Sequence, residues 1–88
     1  MIDYFTICSW MFYKGLSMRD IIVLAIIFRY SQDIQTFDPS CCLNEIAAAA
    51  KTHKADVERS IRKLESRGII EWSKDRLGHP GYRVNPQH

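Results

Sequence analysis

The stretch LNEIAAAAKTHKADVERSIRKLESRGIIEW, residues 43–72 of an 88-residue chain, decides the fold. Leu43, Ile46, Ala47 and Ala50 recur at three- and four-residue spacing, the stripe of a helix with one buried side. The four alanines from Ala47 to Ala50 leave room for a neighbouring helix to come close. Lys51-Thr52 reads as a short turn. From His53 to Arg67, Val57, Ile61 and Leu64 make a second helical stripe, and Gly68 supplies a C-terminal stop. Ile69-Ile70-Glu71-Trp72-Ser73 is β-branched and aromatic, the composition of a strand.

Working outward, Lys74 to Pro80 is a loop rich in Gly, Pro and charge, and Gly81 to Val84 a returning strand, so residues 69–85 form a hairpin with a seven-residue loop. Upstream, Asp38-Pro39 marks a helix start, Asp as cap and Pro at the first helical position, which sets the middle helix at 39–50. Ser31 to Phe37 is a polar connection. Another start lies at Ser17: Asp20 completes a capping box and Leu16 and Ile21 are placed for a hydrophobic staple, giving a helix over 17–31. Its middle, Ile21 to Phe28, is apolar on every face. Such a helix forms the centre of the core or contributes to a dimer contact, and the core is favoured. Residues 1–16, aromatic and β-branched, read as an extended or short-strand lead-in. The class is therefore α+β, mainly α with a small β-hairpin. The order of elements describes one winged helix-turn-helix domain over 1–88: three helices and a C-terminal two-stranded wing.

The apolar run of eight residues is far short of the roughly 20 needed to cross a bilayer, so no membrane association is expected. No secretory signal fits the N-terminus. Three cysteines, Cys8, Cys41 and Cys42, are an odd number, and point to reduced thiols in a cytoplasmic setting, packed as small hydrophobes. No zinc-ligand spacing, Gly-rich phosphate loop or HExxH occurs, so neither metal, cofactor nor enzymatic activity is expected. The net charge of +2 conceals an asymmetry. Residues 1–50 carry three cations against five acids, whereas residues 51–88 carry nine against five. Positive charge gathered in one half suggests an anionic partner.

Projected at about 100° per residue, the helix over 53–67 places Ala55, Arg59, Arg62 and Ser66 opposite its buried stripe, with Asp56 and Lys63 flanking one side and Glu58 the other. A helix entering a major groove needs small residues at the floor and long cations reaching phosphates or guanine edges. Ala55, Arg59 and Arg62 meet that need, and Lys51 and Lys54 are placed for backbone phosphates. Glu58 at four-residue spacing from Lys54 and Arg62, and Asp56 at three from Arg59, are expected to pair with them and orient the cations. The same residues also suit plain helix-stabilising surface pairs. The wing loop adds Lys74, Arg76 and His79, with Arg83 on the returning strand, placed for a minor groove or adjacent backbone. Asp75 dilutes that field. Trp72 and Tyr82 are expected to pack across the hairpin or against the third helix rather than to stack on bases.

Residues 43–72 resemble the helix-turn-helix and wing of bacterial winged-helix regulatory proteins. Upstream, YFTICSWMFYKGLSMRDIIVLAIIFRYSQD is similar to the N-terminal module of phage and plasmid replication-initiation proteins, through Trp10, Gly15-Leu16-Ser17 and Ser31-Gln32-Asp33. The resemblance implies backbone contact near Lys54 and groove-facing roles for Arg59 and Arg62. It is departed from at Lys51, where Gly is usual, at Asp56, where a phosphate-binding Thr is common, and at Cys8, where proline is usual. The expected function is thus a non-enzymatic double-stranded-DNA-binding protein, a small transcriptional regulator or replication-associated factor, acting as a homodimer. The alternative is a protein–protein interaction module, a phage- or plasmid-encoded adaptor or inhibitor, using the third helix.

Overall fold

The computed structural model describes residues 5–32 and 35–85; the start of the lead-in and Asp33 lie outside them. Three helices, α1 (Met18–Tyr30), α2 (Leu43–Ala49) and α3 (Lys54–Ser66), precede an antiparallel hairpin of β1 (Ile70–Lys74) and β2 (Pro80–Val84). This is the expected α+β, winged-helix-like layout. No helix among the described residues is long and apolar enough to cross a membrane.

Helix α1 is the centre of the core. Ile21, Val23, Leu24, Ala25, Ile26 and Ile27 are all buried, at azimuths that go right round the helix. It contacts α3, α2, β2 and the N-terminal segment, so the uniformly apolar run is covered within one chain. Each fully buried Leu or Ile contributes about 1.5–3 kcal/mol. The start is fixed locally. Ser17 Oγ accepts from the Asp20 amide at 3.2 Å and Asp20 Oδ2 accepts from the Ser17 amide at 3.0 Å, the reciprocal capping box.

Among the described residues the lead-in forms no strand, though Cys8 keeps an extended backbone. Ser9–Met11 is one turn of 3-10 helix, with Met11 fully buried and Trp10 edge-on to Phe28 at 5.2 Å. Consecutive residues of a strand point to opposite faces. Trp10 and Met11 both pack on the core, which only a turn permits. The middle helix is also shorter than expected. Pro39–Cys42 forms a 3-10 turn, capped by Asp38 through the Ser40 amide, and the α-helix proper begins at Leu43. Cys42, at φ −144° and ψ 35°, breaks the two apart. Cys41 is exposed, its thiol donating to the Asp38 carbonyl at 3.2 Å, so it is not the buried hydrophobe expected; Cys8 and Cys42 are half-buried.

Helices α2 and α3 end alike. After α2, the Lys51 amide donates to Ala48 and the Thr52 amide to Ala47; after α3, the Gly68 amide donates to Glu65 and the Ile69 amide to Leu64. Both are Schellman closures, which need a left-handed residue at the pivot. Gly68 supplies it at φ +73° without penalty; Lys51 adopts φ +55°, the lone non-glycine at positive φ among the described residues. That conformation costs an L-residue roughly 1–2 kcal/mol. Lys51→Gly is therefore expected to stabilise the chain by about 1 kcal/mol, after the extra chain entropy of Gly, and to raise Tm by about 4–8 °C. An unchanged or lowered melting temperature would contradict a strained Lys51.

In the hairpin Trp72 faces Tyr82 and Glu71 faces Arg83. The strands run one residue further than expected at the loop, leaving five residues, 75–79, in place of seven. Asp75 folds that loop: its Oδ1 accepts from the Leu77 and His79 amides, both at 2.9 Å. These amides hold its carboxyl below the ordinary range. The connection before Pro39 is more than a polar link. Phe37 bridges to Tyr82 through paired backbone bonds of 3.0 and 2.7 Å and stacks on Tyr30 at 5.3 Å, adding a one-residue third strand. Thr36 Oγ1 donates to the His79 carbonyl at 2.8 Å, so the wing loop is tied to the same segment.

Candidate nucleic-acid interface

Val57, Ser60, Ile61 and Leu64 form the buried side of α3, and Ala55, Arg59, Arg62 and Ser66 are exposed on the other. Lys54 opens the helix and Lys51 stands on the turn before it, both exposed. Lys51, Lys54 and Arg62 make no ion pair or side-chain hydrogen bond among the described residues. The expected pairing of Glu58 with Lys54 and Arg62 is absent among the described residues: with both long side chains exposed, the entropy of fixing them outweighs a screened attraction. The Asp56–Arg59 pair does form.

Asp56 is the hub at the N-terminal end of this face. It accepts from Thr52 Oγ1 at 2.6 Å and from Arg59, and Arg19 of α1 approaches to 3.9 Å. Sequence reading omitted Arg19, whose partners lie some 40 residues away. Its guanidinium also donates from Nε to Ser60 Oγ at 3.1 Å.

Lys63 is placed differently from expectation. Its ammonium donates to Asp20 Oδ2 at 2.9 Å, while Ser60 Oγ donates to Asp20 Oδ1 at 2.6 Å. Asp20 is fully buried at the junction of α1 and α3. Burial alone would raise its pKa, but the bonds from Ser60, Lys63 and Ser17 prevail and lower it to about 2. A buried carboxylate needs a counter-charge, so Lys63 serves helix docking and is withdrawn from the free cations of the face.

In the wing, Lys74, Arg76 and Arg83 surround a shallow concavity of about 250 Å³ together with Asp75. His79 is exposed, with Nδ1 3.5 Å from Asp75 Oδ2, and its backbone closes the loop. Exposed Lys54, Arg59 and Arg62 thus stand on α3, and exposed Lys74 and Arg76 with half-buried Arg83 on the wing; Lys14, Lys51 and Arg67 are exposed elsewhere.

The fold places the chain among α+β domains of winged-helix-like layout. No protein-family model matches it, and neither a curated protein nor a solved structure does.

Proposed function

We propose that this chain is a non-enzymatic double-stranded-DNA-binding protein, a small transcriptional regulator or replication-associated factor. Helix α3 enters the major groove and the wing loop rests on the neighbouring backbone. One observation carries the reading: Arg59 and Arg62 lie exposed with the small Ala55 on the face of α3 that the core leaves free, and Lys54 stands exposed at the N-terminal end of the helix. Ala55 lets the helix approach the groove floor, and the flanking cations reach phosphates or guanine edges. Asp56 holds Arg59 in one direction, the pre-organisation that a base contact needs, and its charge is offset by Arg59 and Arg19. Lys74, Arg76 and Arg83 supply the second backbone contact.

Electrophoretic mobility shifts at low salt test this. Arg59→Ala and Arg62→Ala are each expected to weaken duplex binding about 5- to 100-fold, in line with roughly 1–3 kcal/mol per specific Arg contact. Duplex affinity indifferent to both substitutions would refute the reading. The protein-interaction alternative draws support from Glu58, exposed and without an ion-pair partner among the described residues on the same helix.

A further inference from the structure

Between the 3-10 turn before α2, the flank of α3 and the hairpin lies a groove of about 310 Å³. Its walls are the rings of Trp72 and Tyr82, perpendicular at 81° with centroids 4.9 Å apart, and its floor includes Leu43 and Ile61. Trp72 is 49 % exposed, an unusual position for the largest apolar side chain of a small domain. The geometry is held firmly. Phe37 pairs with Tyr82 on the backbone, and Tyr82 donates its hydroxyl to Glu65 at 2.9 Å.

The surrounding charge is negative. Asp38 and Glu58 stand on the rim, and Glu65 grips the Tyr82 hydroxyl; Arg62 is the one cation among the described residues that line the groove. Burial, Glu65 and Asp38 together push the Tyr82 phenol up to about 12. Arg62 makes no ring contact among the described residues; within the Trp72–Tyr82 pair the edge of one ring covers a face of the other, and the rest of the exposed Trp72 surface is open to solvent. Asp38 and Glu58 outnumber Arg62 here, so the groove disfavours phosphates although Arg62, one of the exposed cations of α3, borders it.

We propose that this groove is a docking site for a basic side chain, Arg or Lys, presented by a protein partner. The exposed aromatic surface attracts a cation by its quadrupole, and the carboxylates lining the groove add direct charge complementarity. A free ion would gain only about 0.5–1 kcal/mol at so open a site, too little to hold it. A peptide adds apolar contact with Leu43 and Ile61 on either side of its cationic anchor, and aromatic pockets of this kind concentrate binding energy. This site does not rest on the DNA-binding reading, and duplex affinity is measured separately from it.

The test is an ¹⁵N-NMR titration of the full chain with the capped tripeptide acetyl-Arg-Leu-Arg-amide and its citrulline counterpart. The Trp72 indole N–H is expected to shift, while that of Trp10, packed on Phe28, stays as an internal control. Citrulline, neutral but nearly isosteric, is expected to bind at least tenfold more weakly. Glu58→Gln should weaken the arginine peptide about three- to fivefold. Glu71→Gln, the same charge change on the opposite face of β1, should leave it unaltered. Trp72→Leu should abolish the response; if that variant fails to fold, Glu58→Gln against Glu71→Gln decides. Equal affinity for the two peptides, equal weakening by the two glutamine substitutions, or no Trp72 shift at millimolar peptide would overturn the proposal.

Discussion

Asp20→Ala is expected to destabilise the domain by about 3 kcal/mol, a large share of the roughly 4–13 kcal/mol available to a chain this size. Three losses combine. The capping box at Ser17 disappears, worth about 1 kcal/mol. Ser60 Oγ, buried, loses its short acceptor, and Lys63 loses its counter-charge. Lys63 keeps 41 % of its side chain in solvent, which holds the cost near the lower end for a broken buried pair. Urea or thermal unfolding measures the difference. The pH dependence carries the same signature. Asp20 titrates near 2 in the folded chain against an ordinary 3.8, so its contribution of about 2 kcal/mol is present above the unfolded value. It is lost as pH falls from about 4 through 2. Asp20→Asn should flatten the acid limb of the stability curve over that window. An acid limb of unchanged slope would show that Asp20 is not the buried, charge-paired group described.

The second large effect concerns Gly81. A Cβ there would lie 2.8 Å from the backbone C and N of Phe37, atoms that no rotamer change can move. Accommodating it requires the 35–38 segment to part from β2, at the cost of the two Phe37–Tyr82 bonds, which also hold one wall of the aromatic groove. Overpacking of about 1–3 kcal/mol, with one or both bonds weakened, makes Gly81→Ala cost about 2–3 kcal/mol. The backbone at Gly81 is not in the left-handed region, so on propensity alone Ala in a strand would gain about 0.5–1 kcal/mol. The sign of the measured change in thermal unfolding therefore separates close approach from local preference; a stabilised variant would contradict the Phe37 bridge.

What could be seen in the sequence was local chemistry. Ser17 with Asp20, Asp38 with Pro39, and Gly68 each act within a few residues of themselves; the first and last mark boundaries that the fold keeps, while Asp38 caps a 3-10 turn and the α-helix begins only at Leu43. The apolar run of α1 announced its burial because no face was polar. The exposed side of α3 followed from helical periodicity. Long-range pairing was invisible. A one-residue bridge at Phe37 has no period to detect. Asp20 was already accounted for as a cap, which concealed its second duty toward Ser60 and Lys63 on a helix 40 residues on. A helical projection placed Lys63 beside the exposed face, but no projection shows that a buried carboxylate from α1 claims it. Arg19 was missed for the same reason, and the groove at Trp72 exists only once three separate segments meet.

The most direct measurement is the salt dependence of binding to a random-sequence DNA duplex, for the wild-type chain and Arg59→Ala. With about 4–6 phosphate contacts per protomer, a log–log slope of roughly −4 to −5 is expected, and Arg59→Ala should weaken binding, with a slope shallower by about 1 if Arg59 meets a phosphate and unchanged if it meets a base. No detectable affinity at low salt, or affinity in both proteins that is the same and insensitive to salt, would contradict DNA binding through α3.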